Sequence, residues 1–128
     1  MDCLQDISFC QKTISKVKTI SKADTNIRKT VKKSSKTRYW SATVKTGYVD
    51  LGRPLTYNQA VKEVSLGHNV FTVTQSEAKA IARAAGGSSG ANNKHLYPEI
   101  DKGKMFTRGY YFHYHPSNRN GGHVFFLY

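Results

Sequence analysis

Three histidines near the end of the chain, His113, His115 and His123, are spaced so that they could work together. Gly109-Tyr110-Tyr111-Phe112-His113-Tyr114-His115-Pro116 reads as a strand stopped by Pro116. Ser117-Asn118-Arg119-Asn120-Gly121-Gly122 reads as a loop, and His123-Val124-Phe125-Phe126-Leu127-Tyr128 as a second strand. If the two strands pair symmetrically about that loop, His115 faces His123, His113 faces Phe125, and Tyr111 faces Leu127. Side chains alternate along a strand, so Tyr111, His113, His115, His123, Phe125 and Leu127 share one face. Three imidazoles on an apolar face are costly to desolvate unless they have partners or a task.

Three chemistries fit such a face. In the first, two imidazoles serve as general base and general acid on an RNA phosphodiester. One takes the proton of the 2′-hydroxyl, the other protonates the leaving 5′-oxygen, and a 2′,3′-cyclic phosphate results. Arg119, Lys94 or Arg108 would then steady the charge of the phosphorane-like transition state. In the second, His113-x-His115 with His123 and Glu99 holds zinc or manganese and activates water. In the third there is no reaction: Tyr39, Trp40, Tyr110 and Tyr114 stack on bases while Lys and Arg hold phosphates. Binding alone gives no reason to cluster three histidines. The expectation is therefore a metal-independent endoribonuclease with His113, His115, His123 and Arg119 as catalytic residues and no cofactor, zinc or manganese being the alternative. Lys94, His95, Glu99, Arg108, Tyr111 and Tyr114 are candidate substrate-binding residues.

The charge of the chain agrees with a polyanionic partner. A formal net charge of +12 on 128 residues, with a pI near 9.9, exceeds the roughly 2–8 that solubility asks of a small domain. An anionic membrane is disfavoured, because no apolar run approaches the roughly 20 residues needed to span one. No apolar core of a signal peptide follows Met1, so export would depend on residues outside this chain. Cys3 and Cys10, spaced C-x6-C, match no standard zinc pattern.

The elements that must position the histidines are legible in part. Residues 1–40 hold ten Lys or Arg against three acids, whereas every Gly, Pro and His lies beyond them. That contrast predicts a basic arm over 1–38 and a compact domain over 39–128. In the arm, Leu4, Ile7, Cys10, Ile14, Val17 and Ile20, then Ile27 and Val31, recur at helical spacing. Tyr39 to Val44 reads as a strand, and Gly47 and Gly52-Arg53-Pro54 as turns. Thr56-x-x-Gln59 and Thr74-x-x-Glu77 are capping boxes that open helices ending at Gly67 and Gly86-Gly87. Asn69 to Thr74 alternates as a strand. Ser88 to Glu99 reads as a long polar loop, a kind that is often functional. The fold class expected is α+β: two short capped helices on an antiparallel sheet that ends in a C-terminal β-hairpin, after a basic helical or flexible arm.

This arrangement resembles the C-terminal toxin domains of bacterial polymorphic toxins, the variable ends of Rhs/YD-repeat, wall-associated and LXG-type proteins. The matching pieces are Leu55-Thr56-Tyr57-x-x-Ala60-Val61, Asn69-Val70-Phe71 and Ser76-x-Ala78-x-Ala80-x-Ala82. Gly109-Tyr110-x-x-His113-x-His115-Pro116 and Gly122-His123-Val124-Phe125-Phe126 complete them. The likeness covers about residues 47–128. It implies a toxin of interbacterial competition, delivered as part of a larger secreted protein and acting in the target-cell cytoplasm. Many such domains cut tRNA or rRNA, and each is paired with an immunity protein, here expected to be acidic.

Overall fold

The computed structural model describes residues 7–86, 100, 109–116 and 121–128, with side chains from residue 17 onward. A long helix, α1 (Ile7–Lys33), leads into a hairpin of β1 (Tyr39–Lys45) and β2 (Tyr48–Leu55). Helix α2 (Tyr57–Ser65), strand β3 (Asn69–Thr72) and helix α3 (Gln75–Ala85) follow, then the short strands β4 (His113–Tyr114) and β5 (Val124–Phe126). Both capping boxes form. Thr56 and Gln59 exchange side-chain and backbone hydrogen bonds at the start of α2, as Thr74 and Glu77 do at the start of α3. Each exchange satisfies helix N–H groups that have no partner within the helix.

The sheet runs β2-β1-β3-β5-β4. Its β1–β2, β1–β3 and β4–β5 pairs are antiparallel, but β3 and β5 run parallel, so the sheet is mixed rather than antiparallel. The α+β class holds. Strand β2 occupies a stretch whose Gly52-Arg53-Pro54 reads as a turn in the sequence. Pro54 is tolerated because β2 is the edge strand, with no ladder to feed on its outer side. Gly52 sits where the β1–β2 register slips between Trp40 and Ala42. A Cβ there would lie 2.2 Å from Ser41 Oγ, the same oxygen that accepts the Arg53 N–H at 2.9 Å. The glycine therefore marks a bulge, not a chain reversal. The reversal is at Gly47, whose φ of 84° an L side chain rarely adopts.

Both faces of the sheet are covered. Ala60 and Val64 of α2 and Ala78, Ile81, Ala82 and Ala85 of α3 pack with Val70, Tyr114, Val124 and Phe126 on one side. Ile27 and Val31 of α1 pack with Trp40, Phe71, Tyr111 and Phe125 on the other. Neighbours in sequence thus part company: Val70 and Phe71, or Val124 and Phe125, serve opposite cores, as period-2 alternation requires. Although they precede residue 38, Ile27, Val31 and Asp24 are buried, so the second half of α1 belongs to the folded core. Cys3 lies outside the described residues, as does the side chain of Cys10.

Candidate histidine centre

Register brings the histidines together. His113 stands opposite Phe125 and Tyr114 opposite Val124, the pairing that symmetry about the loop predicts. The ring centroids of His113 and His115 are 4.9 Å apart, those of His113 and His123 5.0 Å, and those of His115 and His123 4.5 Å. His113 is buried, while His115 and His123 are half-buried. Phe125 floors the group, 5.3 Å from the His113 ring and stacked at 5.6 Å on that of His123. The apolar floor limits water on that side.

A residue the sequence did not single out orients the centre. Asn69, first residue of β3, has its Oδ1 2.9 Å from the backbone N of His123 and 2.9 Å from its ring Nδ1. A backbone N–H can only donate, so the Asn69 atom facing it must be the oxygen. The same oxygen then accepts from Nδ1–H, which fixes the His123 tautomer with its lone pair on Nε2. Nδ1 of His113 lies 3.3 Å from the carbonyl oxygen of Tyr111, which favours the same tautomer there. Nothing local in the sequence marks Asn69, because its partner lies 54 residues away and meets it only through the parallel β3–β5 pair.

The two tyrosines proposed for substrate go elsewhere. Tyr111 donates its hydroxyl to the buried Asp24 Oδ1 at 2.6 Å, and Arg28 Nε holds the same carboxylate at 3.1 and 3.2 Å. Tyr114 is on the opposite face of the sheet, buried against α3, and its hydroxyl accepts from Gln75 Nε2 at 3.0 Å. Trp40 is a core residue and Tyr39 packs edge-on against Tyr57 at 6.0 Å, so these do not make an open stacking platform. Lys94, His95, Glu99, Arg108 and Arg119 lie outside the described residues. His68 is remote in role, paired with Glu63 Oε2 at 2.7 Å beside Arg53.

The triad also fits a cation by donor type. Each of His113, His115 and His123 offers one ring nitrogen, all within 4.8 Å of one another. Nδ1–H donation to an amide or carbonyl oxygen, as at His123 and His113, is the outer-shell pattern of metal-bound imidazoles. A tetrahedral zinc with bonds of about 2.1 Å would draw the rings closer by side-chain rotation. Among the described residues, no helix is long and apolar enough to cross a membrane. Comparison with protein families, curated proteins and solved structures yields no match for this chain.

Proposed function

We propose that this protein is an RNA-cleaving toxin domain whose histidine triad carries out acid–base transesterification. The observation that carries the reading is the fixed Nε2 lone pair of His123, set by Asn69 and surrounded by two further imidazoles. An imidazole held in one tautomer by a third group is the arrangement a general base needs. It removes the proton of a 2′-hydroxyl, whose oxygen attacks the adjacent phosphorus. A second imidazole, in its protonated form, gives its proton to the departing 5′-oxygen. The products are a 2′,3′-cyclic phosphate and a 5′-hydroxyl, and the two histidines exchange protonation states. The net charge of +12 supplies the attraction for the polyanion and for an acidic immunity protein that would occupy the same face.

A metal-dependent nuclease is the second reading, favoured by the three ring nitrogens lying within 4.8 Å. One experiment separates the two. The protein is incubated with total RNA and with duplex DNA, with and without EDTA, and the new ends are identified. RNA cleavage that survives EDTA and leaves cyclic phosphate is the expected result. Cleavage abolished by EDTA and restored by zinc or manganese selects the metal, and binding of both polymers with no cleavage of either rejects the enzyme.

A further inference from the structure

Beside the triad, a cavity of about 270 Å³ opens between the tip of the β1–β2 hairpin and β4–β5. His113 and His123 form part of its wall, so whatever enters it lies against the reacting groups. The rest of the wall is largely apolar and aromatic: Val44 and Tyr48 from the hairpin, Tyr110 and Tyr111 from the segment entering β4, and Phe125 from β5. Among the described residues that line it, Lys45 is the one lysine or arginine.

Its size limits the occupant. Pockets for drug-sized ligands run to roughly 300–1,000 Å³, so this one has room for a group of one or two rings and not for a helix or a folded peptide. Two glycines bring its walls together at one end. Gly47 and Gly109 both line the cavity, and a Cβ on Gly109 would fall 2.4 Å from the Gly47 carbonyl oxygen. The hairpin tip and the segment entering β4 therefore meet backbone to backbone. Tyr111 contributes its ring alone, its hydroxyl being spent on Asp24. The half-buried rings of Tyr48 and Tyr110 with a lysine at hand suit a nucleobase whose phosphate is turned toward a cation.

We infer that this cavity is a base-binding subsite, which seats the nucleobase next to the scissile phosphate and so sets where the RNA is cut. The inference rests on the RNA-cleaving reading for its role in specificity, but base binding can be measured without any cleavage. Nucleoside 3′-monophosphates of the four bases, and ribose 3-phosphate as a base-free control, are titrated into the full chain by NMR. One base is expected to bind at least about tenfold tighter than ribose 3-phosphate, the size of one stacking contact. The amide shifts should centre on residues 44–49 and 109–111. Tyr48→Ala should weaken the preferred nucleotide about tenfold and leave ribose 3-phosphate unchanged. Lys45→Ala, at an exposed position, should weaken all four nucleotides alike. Equal binding of nucleotides and ribose 3-phosphate, or shifts confined to other surfaces, would overturn the inference. Base-selective binding by a protein that cuts no RNA would uphold the subsite while rejecting the RNase reading.

Discussion

The side-chain oxygen of Asn69 accepts two hydrogen bonds from one residue, the backbone N–H and the ring Nδ1–H of His123, each at 2.9 Å. Through them β3 holds the orientation of an imidazole immediately ahead of β5. Asn69 does not itself react in this account; it is a positioning residue.

Asn69→Ala should therefore lower the rate of RNA cleavage by about 10–100-fold, the loss seen when a metal-bound histidine loses the group that orients its ring. A merely structural role would lower stability without touching the ring. The ring ¹⁵N shifts of His123 distinguish the two, because the variant should lose its single tautomer. Asn69→Asp should retain Nδ1 donation and move the limb of the pH–rate profile belonging to His123 upward, since a carboxylate favours imidazolium.

Tyr111→Phe tests the Asp24 contact. It leaves a buried carboxylate with one hydrogen-bonding partner fewer, at a cost of about 1–3 kcal/mol. Urea unfolding should record that loss while kcat/KM stays near wild type below the transition. A fall in kcat/KM at unchanged stability would instead place the hydroxyl on the substrate.

Acid stability should depend on Glu77. Burial alone pushes its carboxyl up, but the paired hydrogen bonds from Arg38 at 2.8 and 2.9 Å and those from Thr74 outweigh burial and hold it below the usual range. A carboxyl with a lowered folded pKa stabilises above its unfolded value, near about 4.3, and that contribution disappears as pH falls through the folded value. Urea midpoints should therefore decline below about pH 4.3. Glu77→Gln should start lower at neutral pH and decline less, and a parallel decline in both proteins would contradict the assignment.

How far these features were legible depends on the range of the interaction that made them. The capping boxes at Thr56 and Thr74 are read within four residues, and both helices begin where those residues say. The histidine face followed from strand alternation together with symmetric pairing about the loop, which sets His113 opposite Phe125. By contrast, Gly52-Arg53-Pro54 carries turn residues for a different purpose, a bulge and a sheet edge, and only the pairing partner Ser41 reveals it. The buried half of α1 was obscured by its lysines, although Ile27 and Val31 keep the helical spacing. Asn69 and Asp24 were invisible for the same reason: each meets its partner across more than fifty residues of chain.

Tyr111 and Tyr114 show the limit of reading types without neighbours. Both lie beside the histidines in sequence, yet their hydroxyls are committed to Asp24 and to Gln75. Tyr114, a candidate for substrate by residue type, sits on the face turned away from His113, as its odd place in the alternation requires, and nothing in the sequence says what either hydroxyl finds.

If the triad moves the protons of RNA cleavage, replacing single histidines must slow the reaction. Turnover of a defined RNA is measured in EDTA for the wild type, His113→Ala and His123→Ala, with folding checked by the NMR spectrum. Each replacement should slow cleavage by at least about 10²-fold. Undiminished rates in both folded variants would contradict the claim.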